Sequence, residues 1–329
     1  MNNNRLFSLI LLIVISGLCG CMSIKLNFIS DKTDPLKEFI LSGDDTSQKI
    51  LLLNIEGIIS STNGFNLLGE SPSMVEEIRA HLEKASHDDK IKALLIKVDS
   101  PGGATTASDL IYHEIETFKI QRKTKIFVMM MDIATSGAYM ISLPADKIFA
   151  QPTTVTGSIG VIFMRPKING LMEKIGVDVK VSKSGENKDM GSPFRSDSDS
   201  EEMIFENMVK NLNNHFYDLV LKHRKIDEEK LKIIKSARVF MATEAKELGL
   251  IDEIAYPSDI ILKSKIEANL KENAALVVYR RKNYPNDNIY NKSSMRTHSA
   301  IDMLNITPLN TLSGIKTGFY YIWPGYVGF

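Results

Sequence analysis

The amino-acid sequence predicts an α/β protein made of parallel strand–helix repeats, with further helices added towards its C-terminal side. Three observations predict it. Nearly continuous apolar runs, clearest at Lys49 to Ile59 and Ile91 to Val98, are what strands buried on both faces require. Between them, residues such as Met74, Ile78 and Leu82 recur three and four apart and make one stripe of a helix. The two kinds of segment alternate, which implies parallel pairing through right-handed crossovers.

Taken in order, a helix over Ser73 to Ser86 follows Pro72 and carries Glu76 and Glu77 in its first turns, where acidic residues suit a helix start. After the strand Ile91 to Val98 come a helix from Ala104 to Ile120, a strand from Lys125 to Met131, a short helix from Ser136 to Leu143 and a strand from Lys147 to Ala150. Ile159 to Phe163 continues the pattern, with a helix near Ile168 to Ile175 and a strand from Val177 to Ser182. Lys183 to Ser200 is rich in Ser, Gly, Asp and Lys and reads as a loop. Ile204, Met208, Leu212, Phe216 and Leu219 then mark a long amphipathic helix from Glu201 to Arg224. Shorter helices are expected at Glu228 to Lys235 and at Thr243 to Leu248, before Gly249, and a last strand at Ala274 to Tyr279.

The chain has 329 residues, and its 40 basic residues balance 40 acidic ones, which argues against a nucleic-acid-binding stripe. With 43% apolar and 24% charged residues it lies in the globular range, away from the composition of disorder. Two cysteines, Cys19 and Cys21, are too few for a disulfide scaffold or a four-thiolate zinc site. Both end an apolar run from Leu6 to Ile15, short for a membrane span, which needs about 20 residues, and suited to a secretory signal. Leu18-Cys19-Gly20-Cys21 resembles a bacterial lipobox. The expectation is therefore a signal peptide over 1–20 and a lipid on Cys21, tethering the protein to a membrane outside the cytoplasm, in the bacterial cell envelope. An uncleaved signal anchor and a plain secreted protein are the alternatives. Residues 21–48 read as a spacer, 49–282 as the folded domain, and 283–329 as a polar and then aromatic tail that docks on its own or a neighbouring subunit, or contacts a membrane interface.

Two segments at expected strand ends could carry chemistry, since open α/β folds place their sites there. Asp99-Ser100-Pro101-Gly102-Gly103 can turn its backbone N–H groups outward to hold an oxyanion, or can be only a tight strand-to-helix turn. Thr135-Ser136-Gly137-Ala138-Tyr139 sets a serine among small residues at a strand-to-helix turn, as a nucleophile elbow does, although a serine N-cap explains the same residues. Of six histidines, His81, His87, His113, His215, His223 and His298, none adjoins these strand ends, and those within helices read as polar-face residues. A base would then be a lysine, which unrelated serine hydrolases do use.

A third segment, Lys183-Ser184-Gly185 with Lys188-Asp189, resembles the lysine segment of the signal peptide peptidase A (protease IV) family of serine peptidases. The serine segment resembles that family's nucleophile motif, with Thr135 and Ala138 standing where the family has Ala and Gly. Asp99 to Gly103, Ala145 to Ala150 and Thr156 to Val161 resemble further family signatures in the family's order. The resemblance spans Ile50 to Ala255 and implies a serine endopeptidase in a Clp protease/crotonase-like fold. It implies Ser136 as nucleophile, Lys188 as general base and Ser158 orienting the lysine amine. The N–H groups of Gly102 and Gly137 are implied to receive the oxyanion. No cofactor is implied. The implied substrates are unfolded, largely apolar peptides such as signal-peptide remnants. In the family the lysine comes from a different repeat or subunit than the serine. A chain carrying the fold once is therefore implied to form a ring-like homo-oligomer with shared sites. A free lysine titrates near 10.4 and is a cation at neutral pH, so a lysine base needs an apolar cover. An acyl-coenzyme A enzyme, disfavoured by the export signal, and a lipoprotein scaffold with an unused dyad are the other readings.

Overall fold

The apolar runs of the sequence form the middle of a mixed sheet. The computed structural model describes residues 34–66, 69–281, 284, 287–291 and 317–327, all within one unit, Thr33–Phe329; Cys19, Cys21 and the signal segment lie outside the described residues. In chain order the elements are β1 (Lys37–Ser42), β2 (Asp45–Glu56), β3 (Gly64–Asn66), β4 (Gly69–Ser71), α1 (Met74–Ser86), β5 (Ile91–Ser100), β6 (Gly102–Ala104), α2 (Thr105–Arg122), β7 (Lys125–Thr135) and α3 (Gly137–Ser142). Next come β8 (Lys147–Ala150), β9 (Val155–Gly157), β10 (Ile162–Met164), α4 (Asn169–Ile175), α5 (Asp199–His223), α6 (Glu228–Ile234), β11 (Val239–Met241) and α7 (Ala242–Glu247). The chain continues through β12 (Glu253–Ile254), α8 (Pro257–Glu267), β13 (Ala274–Arg280), β14 (Gly318–Ile322) and α9 (Pro324–Val327).

The main sheet runs β1-β13-β2-β5-β7-β8-β12, with β9 and β11 branching from β7. From β13 to β12 the neighbours are parallel, and β1 closes one edge antiparallel. Side chains alternate across the pleat. Leu51, Leu53, Leu94, Ile96 and Val128 face α1, α2 and α3, while Leu52, Leu95, Phe127 and Phe149 face α8 through Ile260. All nine of these strand residues are buried, each worth about 1.5–3 kcal/mol of transfer free energy, so the strand register is fixed from both sides. Helix α1 starts where expected because Ser73 Oγ accepts from Glu76 N–H and the Glu76 carboxylate accepts from Ser73 N–H at 2.7 Å, a reciprocal cap.

Three segments depart from the sequence reading. Residues 37–48, read as part of a spacer, form β1 and the start of β2. As an edge strand, β1 has no fully buried position among Lys37 to Ser42 and so shows no alternation of burial. Val177 to Ser182, expected as a strand, is not one: it is exposed, and among the described residues no strand lies beside it to supply hydrogen bonds. The aromatic tail supplies β14, which lies between β10 and β6 in a separate three-stranded sheet of the same chain. Helix α8, unrecognised in the sequence, begins with Pro257 at its first turn, where proline's missing N–H costs nothing.

Candidate active site

The site begins with a fork in β7. Its first half, Phe127 to Met130, pairs with β8, and its last three residues, Ile133 to Thr135, pair with β9. Backbone groups released at the fork are satisfied by side chains. Thr154 Oγ1 donates to the carbonyls of Met130 and Met131 at 3.2 and 2.6 Å, and the Asp99 carboxylate accepts from Ile133 N–H at 3.3 Å. The strand then delivers Ser136 between the ends of β5 and β9, where its N–H donates to the Gly157 carbonyl at 2.7 Å.

Ser136 takes φ 56° and ψ −118°, a region that costs a non-glycine residue about 1–3 kcal/mol. It occupies the N-cap position of α3, yet its side chain makes no capping bond. Its Oγ is buried and makes no hydrogen bond among the described residues. The capping account of this serine therefore does not describe the structure. The bend falls on Ser136 itself, so Ala138 in place of glycine meets no strain; it is buried within α3. Helix α3 is anchored beneath by the Tyr139 hydroxyl, which donates to the Leu250 carbonyl at 2.8 Å; burial pushes this phenol well above its ordinary pKa.

Gly102, at the turn from β5 into β6, has φ +95°, open to glycine alone at little cost. A Cβ there would lie 2.0 Å from the Tyr321 carbonyl oxygen and 2.9 Å from Gly137 N, so the two glycines expected to hold an oxyanion are neighbours. Gly102 N–H donates to Ser100 Oγ at 3.1 Å, so this amide is engaged within its own loop. Ser158, one residue beyond Gly157, is buried at φ 51°, with its N–H donating to the Arg238 carbonyl at 2.9 Å. The structure thus brings Ser136, Gly102, Gly137 and the Ser158 backbone to one end of the sheet.

Lys188 is not among them. It is exposed on the loop between α4 and α5, with its N–H donating to the Gly185 carbonyl at 3.2 Å. Since Ser136 Oγ has no hydrogen-bond partner, the amine of Lys188 does not reach it within one chain. The loop is nevertheless built. Arg195 and Lys183 both bind the Asp189 carboxylate at 2.8 Å, and Arg195 also binds Glu201, the capping-box residue of α5. These charges hold the Asp189 carboxyl well below the usual carboxylate range and lower Glu201 to about 2.

The histidines of the described residues stay clear of the site, and His298 lies outside those residues. His215 pairs with Asp109 at 2.7 Å and His223 with Tyr112 at 2.7 Å, both joining α5 to α2. His81, expected on a polar face, is instead buried, with Nδ1 and Nε2 against the carbonyls of Glu77 and Tyr279. Sequence reasoning missed Ser100, the Arg195 clamp and Tyr321. Ser100 stood in the loop singled out, whereas nothing in an aromatic tail announces where it docks.

Comparison with known proteins matches residues 119–271 to the model of peptidase family S49. An Enterococcus faecium protein named as a signal peptide peptidase, SppA, is 33% identical over 78% of this chain and 74% of its own length. Protease 4 of Haemophilus influenzae is 29% identical over 73% of this chain but only 38% of its own. Among solved structures, a mutant ClpP1 from Listeria monocytogenes is similar over 64% of this chain and 94% of that one, at 18% identity and a TM-score of 0.42. The matched region contains the elbow serine, and the identity to the Enterococcus protein extends over most of both chains; the chain belongs to peptidase family S49 and is a serine peptidase.

Proposed function

We propose that this serine peptidase is an endopeptidase working through a Ser–Lys dyad, in which Lys188 of one subunit completes Ser136 of the next. One observation carries the reading: the hydroxyl at the strained elbow is buried, caps nothing and has no hydrogen-bond partner among the described residues. An exposed lysine on a clamped loop is the complementary half. In the reaction Ser136 Oγ adds to the substrate carbonyl while its proton passes to the neutral Lys188 amine. The oxyanion is received by the N–H groups of Gly137 and Gly102, the latter after leaving Ser100 Oγ. The lysine returns the proton to the departing amine, and water then releases the acyl group. Ser158 orients the amine, and the neighbouring subunit supplies the cover that keeps it neutral.

Sharing is further supported by residues 177–182, where Val177, Val179 and Val181 alternate at 50%, 42% and 53% exposure just before the lysine loop. An apolar extended segment without a strand partner invites one from another copy. A lipid on Cys21 tethers the assembly outside the cytoplasm, where it acts on unfolded apolar peptides such as signal-peptide remnants; the name of the Enterococcus relative agrees with that substrate class. The test is to mix Ser136→Ala and Lys188→Ala proteins, each inactive alone. Shared sites restore part of the activity on an unfolded peptide, and no recovery under verified subunit exchange overturns sharing. Labelling by a fluorophosphonate that requires Ser136 checks the nucleophile separately.

A further inference from the structure

We propose that the chain's own C-terminal strand, Gly318–Ile322, is an intramolecular competitor that fills the peptide cleft between β6 and β10 and is held there by the Tyr321 side chain. The inference deepens the proposed function and rests on Ser136 as the nucleophile.

Strand β14 pairs antiparallel with both neighbours. Tyr320, Tyr321 and Ile322 lie opposite Ala104, Gly103 and Gly102, and Gly318, Phe319 and Tyr320 opposite Met164, Phe163 and Ile162. On the far side of β6, Ile59 N–H donates to the Gly102 carbonyl and Ala104 N–H donates to the Ile59 carbonyl, both at 2.9 Å. The alternation of an antiparallel ladder therefore turns the N–H and C=O of Gly103 towards Tyr321. Without β14, two open strand edges would face one another about 10 Å apart, two strand spacings. That is the geometry in which a peptide adds as a strand.

The groove lies over the candidate active site. The Tyr321 carbonyl oxygen sits 2.0 Å from where a Gly102 Cβ would be and 3.0 Å from where a Gly137 Cβ would be, and Trp323 N–H donates to the Pro101 carbonyl at 2.9 Å. A peptide carbonyl thus already lies against the two glycines that flank the nucleophile, and Ser136 is 0% exposed beneath. The Tyr321 ring is buried, meets Phe216 edge-on at 4.9 Å between centroids, and its hydroxyl donates to the Leu212 carbonyl at 2.8 Å. Two residues earlier, Phe319 stacks on Phe163 at 4.2 Å. A pocket walled by an aromatic ring and ending in a carbonyl acceptor takes Tyr, tolerates Phe, and rejects a carboxylate, which brings a second acceptor.

The test uses full-length protein and a fluorescent synthetic peptide of residues 317–325. Tyr321→Pro removes both the ring and the N–H facing Gly103; Tyr321→Ala removes the ring alone. The apparent dissociation constant of the peptide is the intrinsic one divided by the fraction of molecules whose groove is empty. The Pro variant is therefore expected to bind the peptide on the order of tenfold more tightly than wild type, and to be labelled at Ser136 faster by a similar factor. Added peptide returns labelling to the wild-type rate and restores hydrogen-exchange protection at 102–104 and 162–164, whereas a peptide with Asp at the tyrosine position does neither. Thermal melting verifies the fold, and the Ala variant carries the same comparison if the Pro variant melts early. Unchanged labelling together with retained protection at 102–104 in both variants overturns the proposal, as does a peptide that fails to protect those amides. If the peptide protects the groove but Ser136 is unlabelled in every protein, the groove is supported and the nucleophile assignment fails.

Discussion

At Ser136 the backbone and the side chain are both in an unfavourable state, a positive φ and an unpaired buried hydroxyl. Glycine relieves the first and removes the second. Ser136→Gly is therefore expected to be more stable than Ser136→Ala by about 1 kcal/mol, because alanine keeps the backbone strain. Both substitutions should lower turnover by about a thousandfold or more. Thermal melts and peptide-cleavage rates check the pair, and equal melting of the two variants would contradict the strain. The position of this serine at a strand-to-helix turn was legible from the residues around it. Its failure to cap α3 was not, because capping depends on the φ and ψ of the residue, which neighbouring small side chains leave open. The same holds for Ser100: Gly102 could be recognised as a turn glycine, but the hydroxyl that takes up its amide is a matter of rotamer.

The elements around the site divide into those held by burial and those held by charge. Helix α3 belongs to the first kind. Tyr139→Phe leaves the Leu250 carbonyl without its donor in a dry interior and is expected to cost about 1–3 kcal/mol, measured by denaturant unfolding. The lysine loop belongs to the second. Arg195, and for Asp189 also Lys183, lowers the carboxyls of Asp189 and Glu201. A carboxyl lowered by folding stabilises the folded state at pH values above its unfolded pKa, about 4, and loses that contribution as pH falls through its folded value. For Glu201 the window runs from about 4 down to about 2. Hydrogen-exchange protection factors across 183–201, with the pH dependence of intrinsic exchange divided out, are expected to fall between about pH 6 and about pH 2, while those of the buried strands β5 and β7 stay high. Buried strands such as β2, β5 and β7 were legible because burial on both faces writes itself as an apolar run. Strand β1, with one open edge, leaves no such record, and 177–182 carries the alternation of a strand without a partner among the described residues.

For the molecule as a whole, the exposed valines of 177–182 are where the proposed assembly can be tested. Val179→Asp puts a charge on that segment and is expected to convert an oligomer to monomers in sedimentation velocity and to lower peptidase activity at least about tenfold. Unfolding free energy should change by no more than about 0.5 kcal/mol, as for other exposed positions. Loss of stability without a change in mass would instead mark these residues as part of the monomer's own fold. The fork in β7 has a consequence for redesign. Below Met131 the strand belongs to the nine-stranded sheet's central packing; above it the strand is bound to the short β9–β11 pair. The backbone that presents the serine nevertheless stays joined to the core, because Ala134 pairs with Ser100 of β5 and packs in the same buried cluster as Phe240 of β11. Exchanging 155–157 together with 239–241 would therefore reshape one wall of the cleft and part of the interior at once, since Thr156 and Phe240 are buried and the Gly157 carbonyl receives the Ser136 N–H.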